Sequence, residues 1–523
     1  MEAPRIAIPE QYNAAADFVD RHVAEGRGDK PALICGDRRF TYRQVQEMAN
    51  RVGNALLALG VEMEQRVLIL CLDGPEWVAS FWGAMKIGAV PVPVNTMMRG
   101  ADYAYFLNDS RAAVLVVSDA LWPEVERIRG ELKFVRHIVV AGKPTHAGKP
   151  AGDLIAFEEW TAKASPDLAA APTSKDDAAF WLYSSGSTGF PKGAVHLHHD
   201  IVYTTDLYAR PTLGITERDV TFSAAKLFFA YGLGNNLTFP FRVGATAVLY
   251  PGRPLPDAMF ETIHTYRPTI FFGVPTLYAA MLQIPDAEKK WDLSCLRLCV
   301  SAGEALPAEL LKRWKDRFGT DILDGIGSTE VLHIFISNRQ GDIKPGCSGK
   351  IVPGYEARLV DEAGVDVPEG EVGNLWIKGD STAACYWNKH ERTKQTMLGD
   401  WIVTGDKYTR DAAGYFYYCG RSDDMLKVGG IWVSPFEVES TLIGHAAVLE
   451  AAVVGVEDTD KLVKPKAYVV LKAGHSPSPA LEADLKHFVK DKIAPYKYPR
   501  WIEFVPELPK TATGKIQRFK LRA

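Results

Sequence analysis

A loop rich in glycine and hydroxyl side chains is the part of this sequence best suited to chemistry. Residues 183–193 read YSSGSTGFPKG and follow an apolar run, residues 178–182. That run predicts a buried strand, so the loop leaves the strand's carboxyl end. Glycines allow a ligand close to the backbone, hydroxyls donate to phosphate oxygens, and Lys192 adds a compact positive charge. The pattern predicts a loop that binds a polyphosphate.

Two other interpretations of this loop are weaker. A Walker loop needs Gly-Lys-Ser/Thr where this chain has Pro191-Lys192-Gly193. A flexible Ser/Gly-rich surface linker is the other alternative. Such a linker does not normally follow a buried strand so closely or end in Pro-Lys-Gly.

An acidic residue beside hydroxyl groups ends a second motif. Residues 324–330 read DGIGSTE and follow a predicted strand. Next to a bound triphosphate, Glu330 is suited to Mg²⁺, which prefers oxygen ligands and takes one or two protein carboxylates. A turn with a helix-capping Thr-Glu pair is an equal alternative when the motif is taken alone. The Gly325-Ile326-Gly327 fragment also lacks the third glycine of a dinucleotide-binding fingerprint.

Two further segments carry groups suited to a nucleotide. Asp406 follows a β run and Arg421 comes shortly after it. A carboxylate accepts from both hydroxyls of a ribose, and a guanidinium donates nearby, although an Asp after Gly is more often a turn. The tail from residue 486 to the end has ten Lys/Arg against three Asp/Glu. Lys515 lies there on a Thr-Gly turn, where it is suited to an anion; a solvated basic tail is the alternative.

Composition limits the class of protein. The chain has 523 residues, too many for one core, with 47% hydrophobic and 24% charged residues, as in a soluble globular protein. A net charge of −4 gives no bias toward nucleic acid or an anionic membrane. No apolar run approaches 18 residues, and residues 1–18 lack a secretory pattern. The seven cysteines are scattered, so we expect reduced thiols in a cytoplasmic protein.

Strand and helix signals alternate along most of the chain. Thr41 and Gln44 have capping-box spacing, apolar residues then recur at helical intervals, and Gly60 ends the helix. Such βαβ order predicts a mainly parallel sheet covered by helices. The predicted strands are 67–72, 90–94, 113–117, 246–249, 269–272, 296–300 and 321–323, and the predicted helices of the first part include one starting at Pro75, 101–107 and 120–130. We expect residues 142–177 to divide two subdomains.

The pattern changes in the last third of the chain. Short β runs at 357–360 and 374–377 predict a small, mostly antiparallel β unit. Residues from Gly420 open a last segment large enough for a small domain. It contains predicted strands at 451–456 and 466–471 and a helix at 480–492.

These motifs together resemble the acyl-adenylate-forming enzymes: acyl- and aryl-CoA synthetases, luciferases and peptide-synthetase adenylation domains. The family's motifs recur in order over nearly the whole chain as YSSGSTGFPKG, SAGEALP, DGIGSTE, VTGD, GRSDDMLKVGG and PKTATGKIQR. The resemblance implies an α/β fold. It comprises a large N-terminal domain, residues 1–422, of two α/β subdomains plus the β unit, and a smaller, mobile α+β C-terminal domain, residues 423–523. Asp423 would be the hinge.

The resemblance also implies a role for each matching residue in adenylation. The implied phosphate-binding residues are Ser184, Ser185, Gly186, Ser187, Thr188, Gly189 and Lys192. The implied adenine-binding residues are Gly303, Glu304, Ala305, Asp324, Gly325 and Ile326. Many relatives have an aromatic residue where this chain has Ile326, so apolar contact would replace stacking here. Thr329, beside Ser328, would reach the α-phosphate, Glu330 would hold Mg²⁺, Asp406 and Arg421 would hold the ribose, and Lys515 would bridge the acyl carboxylate and the phosphate.

In the second conformation that the resemblance implies, the C-terminal domain brings other residues to the site. Gly429 and Gly430 would let the pantetheine of coenzyme A pass, with Trp432 near that tunnel. Lys427 lies in the segment that would then face the site, and we expect it to contact the acyl carboxylate or the adenylate. A solvated lysine is an equal alternative.

The acyl pocket of this family is built from two segments, here LFFAYGLG after Lys226 and VLHI after Glu330. Phe229 and Tyr231 offer flat walls, Ala230 leaves room for a ring, and Gly327 can lie against the ring's face. Ile334 lies in the second segment, and His333 would face a para substituent or cap a helix. These segments are similar to those of benzoate-CoA ligases. The alternative for each aromatic residue is that it only packs in the hydrophobic core. His196, His198 and His199 suggest a metal cluster only superficially, because they stand at the start of a predicted helix.

The sequence therefore predicts a cytoplasmic aryl-CoA ligase that uses ATP, Mg²⁺ and coenzyme A on a small aromatic carboxylate, first of all benzoate. The alternatives are a 4-hydroxybenzoate or 2-aminobenzoate CoA ligase, a module that loads a carrier protein, and a non-catalytic acyl-nucleotide binder. We expect a monomer or homodimer with neither nucleic acid nor membrane as a partner.

Overall fold

The computed structural model of the chain describes residues 4–142, 154–184, 190–422, 424–428, 431–458, 462–510 and 516–522. Its strands up to the small β unit are β1 (Pro31–Cys35), β2 (Arg38–Thr41), β3 (Arg66–Leu70), β4 (Val90–Pro93), β5 (Val114–Ser118), β6 (His137–Ala141), β7 (Leu154–Ala156), β8 (Ala178–Ser184), β9 (Lys192–Leu197), β10 (Val220–Ser223), β11 (Thr246–Leu249), β12 (Ile270–Gly273), β13 (Leu298–Ser301), β14 (Ile322–Gly327), β15 (Ile334–Ser337) and β16 (Lys350–Ile351).

The later strands belong to the β unit and to the C-terminal part, except β19, which pairs with β9. They are β17 (Glu356–Val360), β18 (Gly373–Lys378), β19 (Cys385–Tyr386), β20 (Met397–Leu398), β21 (Trp401–Arg410), β22 (Phe416–Arg421), β23 (Leu426–Val428), β24 (Ile431–Val433), β25 (Val448–Glu457), β26 (Val463–Leu471) and β27 (Trp501–Phe504).

Helices surround these strands. They are α1 (Arg21–Ala24), α2 (Tyr42–Ala58), α3 (Pro75–Lys86), α4 (Gly100–Ser110), α5 (Trp122–Glu126), α6 (Phe157–Ala162), α7 (Asp200–Thr204), α8 (Arg210–Leu213), α9 (Ala230–Leu233), α10 (Phe239–Val243), α11 (Pro256–Tyr266), α12 (Pro275–Leu282), α13 (Ala287–Lys290), α14 (Ala308–Phe318), α15 (His390–Thr396), α16 (Pro435–Ile443) and α17 (Pro479–Lys492). A π-helical turn joins α7 to α8, and another joins α9 to α10, so that each pair forms one continuous helix.

The large N-terminal domain contains two large sheets with parallel strands, beside the three-stranded sheet β19-β9-β8 and the sheet of the β unit. One has the strand order β4-β3-β5-β6-β7 and is parallel throughout, as predicted. The other has the order β16-β15-β14-β13-β12-β10-β11-β1-β2. The strands between β14 and β1 in this order pair in parallel, whereas β2 at one edge and β15 and β16 at the other pair antiparallel. Their central strands are buried along nearly their whole length, because helices cover both faces.

Local sequence signals explain several element boundaries. The capping box that begins α2 is present: the Thr41 hydroxyl accepts from the Gln44 backbone N–H, and the Gln44 side chain accepts from Thr41. Gly60 follows this helix with a φ of 74°, which favours glycine. Helix α3 is mostly apolar, and all its residues except Glu76 are buried; its Lys86 is paired with Asp20 at 2.7 Å.

Three expectations about the fold are wrong. The predicted divider at 142–177 does not separate two subdomains, because β7 and α6 lie in it and extend the parallel sheet, while β1 and β2 join the other sheet. The predicted helix 120–130 is the single turn of α5, which buries Trp122 and Val125, between two 3₁₀ turns that bury no side chain. His196 lies in β9 rather than in a helix; α7 begins only at Asp200.

The β unit has the predicted antiparallel character. Strands β17, β18, β21 and β20 pair in that order, with β22 against β21. In the C-terminal part β25 and β26 are antiparallel, β27 adds in parallel, and α16 and α17 pack on them over a small core of their own. The fold is therefore α/β, with a large N-terminal and a smaller C-terminal domain.

Candidate active site

The carboxylate of Glu330 is held by hydroxyl groups from two separate strands. Its Oε1 accepts a hydrogen bond from Ser184 Oγ at 2.9 Å and one from Tyr386 OH at 2.6 Å. Ser184 ends β8 and pairs in register with Lys192, the first residue of β9. Burial lowers the pKa of the Lys192 ammonium, and the nearby Glu330 opposes that shift. The predicted phosphate lysine and the predicted metal ligand therefore lie on the same side of this hairpin.

The predicted α-phosphate residue is positioned through its backbone. The Thr329 carbonyl lies 2.8 Å from His196 Nε2, and His196 Nδ1 lies 2.7 Å from an oxygen of Asp200. Ser328 Oγ accepts the N–H of Val331 at 3.2 Å and closes the turn that carries Thr329 and Glu330. His196 and Asp200 are buried and were missed as site residues. No local sequence pattern indicates the contact of His196 with Thr329, because the two residues lie 133 positions apart in the chain.

The two residues expected at the ribose are brought together as predicted. Asp406 and Arg421 are directly opposed on β21 and β22, and Arg421 Nη1 donates to Asp406 Oδ1 at 3.1 Å. Gly405 has a φ of 75°, and a Cβ there would lie 2.8 Å from the Arg421 guanidinium. The positive φ favours glycine at this position, and a larger residue would also displace the end of the Arg421 side chain.

The residues expected at the adenine lie at the carboxyl ends of neighbouring strands. Gly303, Glu304 and Ala305 follow β13, and Asp324, Gly325 and Ile326 lie in β14, which is parallel to β13. Gly303 has a φ of 90° and is exposed. Asp324 is only 3% exposed, and burial raises its pKa well above the ordinary value. Its Oδ2 accepts a hydrogen bond from the N–H of Leu306 at 3.4 Å. Asp324 is therefore bonded to the turn that contains residues 303–305.

The predicted acyl-pocket segment is anchored from both sides. Asp73 Oδ1 accepts the N–H of Leu227 at 3.2 Å, and burial raises the pKa of Asp73 to about 6. The Tyr231 hydroxyl lies 3.2 Å from the carbonyl oxygens of Gly273 and Val300, at the ends of β12 and β13. Phe229 is half-buried, and Ala230 after it is buried. Sequence patterns did not indicate this contact between Asp73 and the segment that begins at Leu227.

His333 is enclosed by aromatic rings. The rings of Tyr208, Tyr231 and Phe239 lie 4.4–5.6 Å from it, centroid to centroid. Its Nε2 faces Asn235 Oδ1 at 3.1 Å, and burial lowers its pKa to about 3, so the imidazole is neutral. Among the described residues its Nδ1 has no hydrogen-bond partner. Its Nε2 also lies 3.3 Å from the carbonyl oxygen of Tyr231 in the first turn of α9, and its contact with a para substituent stays a prediction.

Two other predicted pocket residues, Gly327 and Ile334, lie close to His333. A Cβ at Gly327 would lie 2.5 Å from the His333 carbonyl oxygen, so a backbone contact requires this glycine. Ile334 is buried in β15 among core residues. Their contact with a substrate stays a prediction.

Several predicted site residues lie outside the part of the chain that the structure describes. These are Ser185, Gly186, Ser187, Thr188, Gly189, Asp423, Gly429, Gly430 and Lys515. Strands β23 and β24 pair Lys427 with Trp432 through their backbones, but the side chains of both residues lie outside that part as well. Within the described ranges, no helix is long and apolar enough to cross a membrane, and no cluster of three or more His, Cys, Asp or Glu side chains is arranged to hold a metal ion.

The fold and these motifs define an adenylate-forming enzyme. Residues 20–387 match the AMP-binding enzyme family and residues 437–515 its C-terminal domain, and the chain belongs to this family. It is 56% identical to a benzoate–CoA ligase of Thauera aromatica over 99% of this chain and 97% of the relative. An anthranilate CoA ligase solved in complex with anthranoyl-AMP superposes with a TM-score of 0.94 at 50% identity, covering 98% of this chain and 97% of the other. A benzoate CoA ligase from Burkholderia xenovorans LB400 superposes with a TM-score of 0.90 at 51% identity, covering 98% and 100%.

Proposed function

We propose that this chain is an ATP-dependent ligase that forms benzoyl-CoA from benzoate and coenzyme A through benzoyl-AMP, releasing pyrophosphate and AMP. The observation that carries the proposal is the grouping of Ser184, Lys192 and Glu330 at one hairpin, in a chain similar over its full length to a benzoate–CoA ligase. The aromatic walls at Phe229 and Tyr231 suit a flat acyl group.

The residues divide the work of the first step. A benzoate oxygen attacks the α-phosphorus of ATP, and pyrophosphate leaves. Lys192 and Lys515 offset the negative charge that gathers there, Thr329 contacts the α-phosphate, and Asp406 with Arg421 fixes the ribose. Glu330 fits Mg²⁺, because its Oε1 is occupied by two hydroxyl donors while Oε2 accepts no hydrogen bond from the described residues. When bound, the ion would neutralise phosphate charge.

In the second step the thiolate of coenzyme A attacks the acyl carbon, and AMP leaves. We propose that the C-terminal domain, residues 423–523, rotates about Asp423 between the two steps. The residues on either side of Asp423 contact different domains. Ser422 is hydrogen-bonded to Gly405 and Asn374 of the β unit. Asp424 forms ion pairs with Arg518 and Arg522 near the C-terminus. The matched family regions also end and begin on either side of it, at 387 and 437.

We place the enzyme in the cytoplasm, as a monomer or homodimer. All seven cysteines are free thiols, as expected in a reducing compartment.

Thioester formation by the purified protein tests the activity. Benzoate, 4-hydroxybenzoate and 2-aminobenzoate are each supplied with ATP, Mg²⁺ and coenzyme A, and pyrophosphate and the thioester are quantified. We expect the highest kcat/KM with benzoate. A preference for 2-aminobenzoate, the second candidate because of the anthranilate ligase superposition, would replace the substrate but keep the reaction. Transfer to a phosphopantetheinyl carrier protein but not to coenzyme A would overturn the ligase assignment, and so would the absence of any product.

A further inference from the structure

Tyr386 lies between the two opposite charges of the proposed triphosphate site, and no sequence motif singled it out. Its hydroxyl donates to Glu330 Oε1 at 2.6 Å. The Lys192 Nζ lies 4.6 Å from the centroid of its ring, as in a cation–π contact. Tyr386 is only 3% exposed. A single side chain therefore binds the anion through its hydroxyl and the cation through its ring.

The backbone around Tyr386 fixes the position of its ring. Strand β19 pairs Tyr386 with Ala194 of β9, two residues after Lys192. The Ala383 N–H donates to the Glu330 carbonyl at 2.7 Å, and the Tyr386 N–H donates to Thr393 Oγ1 at 3.0 Å. Residues 381–387 therefore form a strap, bonded both to the β9 strand that begins with Lys192 and to the turn that carries Glu330.

Without this ring, Lys192 and Glu330 would attract one another. Burial lowers the pKa of Lys192, and the charge of Glu330 opposes that shift, but among the described residues no carboxylate oxygen lies within 4 Å of Lys192 Nζ. A direct ion pair would neutralise the lysine that phosphate needs and occupy the oxygen that a cation needs. Keeping them apart preserves both charges for a ligand.

We propose that Tyr386 is a positioning residue that holds Lys192 and Glu330 apart. Together with Ser184 it occupies Oε1 and leaves Oε2 of Glu330 for the divalent cation that accompanies the nucleotide. This inference rests on the proposed function, since it assigns Lys192 and Glu330 to a bound triphosphate and its metal.

Two substitutions separate the two contacts of Tyr386. Tyr386→Phe keeps the ring and loses the hydroxyl donor, and Tyr386→Leu loses both. The readout is binding of Mn²⁺ in the presence of α,β-methylene-ATP, followed by electron paramagnetic resonance, together with the KM values for ATP and benzoate. We expect Tyr386→Phe to weaken Mn²⁺ binding roughly tenfold, because a hydrogen bond to a charged group is lost. Tyr386→Leu should also raise the KM for ATP, with the KM for benzoate unchanged.

Tyr355→Phe is the matched control. The Tyr355 hydroxyl is also buried and hydrogen-bonded within the strap, to Ser381 Oγ at 2.7 Å, and Ser381 Oγ bonds the Val331 carbonyl at 2.9 Å. It contacts neither Lys192 nor Glu330. Normal Mn²⁺ binding by Tyr386→Phe overturns the proposal, and so does an equal loss in Tyr355→Phe. If Tyr386→Leu fails to fold, the comparison of Tyr386→Phe with Tyr355→Phe still decides whether the Tyr386 hydroxyl supports the cation site. A parent protein that binds no Mn²⁺–nucleotide refutes the proposed function instead.

Discussion

Ala230 begins α9 between two half-buried aromatic residues, Phe229 and Tyr231, and is itself 9% exposed. In the proposed pocket it is the small residue that leaves space for a ring. Ala230→Leu adds volume there, and overpacking costs about 1–3 kcal/mol. We expect the turnover of benzoate to fall roughly 10- to 100-fold with little change in the KM for ATP. Steady-state kinetics with both substrates measure this.

A matched alanine controls for overpacking as such. Ala279 in α12 is 7% exposed and belongs to a different hydrophobic cluster, so Ala279→Leu crowds the core away from the proposed pocket. We expect it to lower thermal stability while benzoate kinetics stay near those of the parent. If Ala230→Leu handles benzoate as the parent does, the pocket lies elsewhere.

At the scale of elements, a neutral histidine fastens the N-terminal segment to the end of β9. The N–H of Ala14 donates to His198 Nδ1 at 3.1 Å, and burial lowers the pKa of His198 to about 4. The unfolded chain therefore takes up this proton first. The resulting stability is fully present above about pH 6.5 and is lost as pH falls toward 4, amounting to roughly 3 kcal/mol.

Thermal unfolding between pH 7.5 and 5 measures this contribution. We expect the Tm of the parent to fall as the pH is lowered over that interval. The Tm of His198→Gln should fall less, because glutamine does not titrate. The slope will not vanish in the variant, since burial also lowers the pKa values of His22 and His333, to about 4 and about 3. Parallel slopes for parent and variant would contradict the assignment.

Elements set by local signals are the ones that the sequence predicts well. The capping box of α2, strand 246–249 and the helix at 480–492 were each placed to within a residue or two. Long-range pairing was not predictable, because β1 joins β11 across more than 200 residues. The same limit applies to the site: its motif residues were found, whereas Tyr386, His196 and Asp73 act through partners distant in sequence.

The proposed hinge makes a prediction about the link between the two domains. Asp423 separates Ser422, bonded to the β unit, from Asp424, bonded to Arg518 and Arg522. Proline fixes φ, and a hinge must change it, so Asp423→Pro should trap one conformation. We expect one half-reaction to be spared and the other crippled. Pyrophosphate release and thioester formation from supplied benzoyl-AMP measure the halves; equal losses in a folded variant would speak against a hinge.

At the scale of the whole molecule, two domain orientations would divide the chemistry between different residues. Lys510 and Ile516, which flank the segment containing Lys515 in the sequence, form an isolated β-bridge, and the Gln517 N–H donates to the Pro509 carbonyl at 2.8 Å. Adenylation brings a carboxylate toward a phosphate that is already anionic, and a cation between them offsets their repulsion. At 4 Å an opposite charge is worth about 4 kcal/mol at an effective dielectric of 20.

Thioester formation has no such meeting of anions, because AMP carries its charge away, and a rotated C-terminal domain would take Lys515 from the reacting centre. Lys515→Ala should therefore slow adenylation at least roughly a hundredfold and keep most of the second step. Pyrophosphate release from benzoate and ATP is compared with benzoyl-CoA formation from synthetic benzoyl-AMP. Lys510→Ala is the control, since this lysine is paired with Glu450 at 2.6 Å and should affect neither rate. Similar losses in both steps would refute two orientations, and no loss in either would leave Lys515 as part of a basic tail.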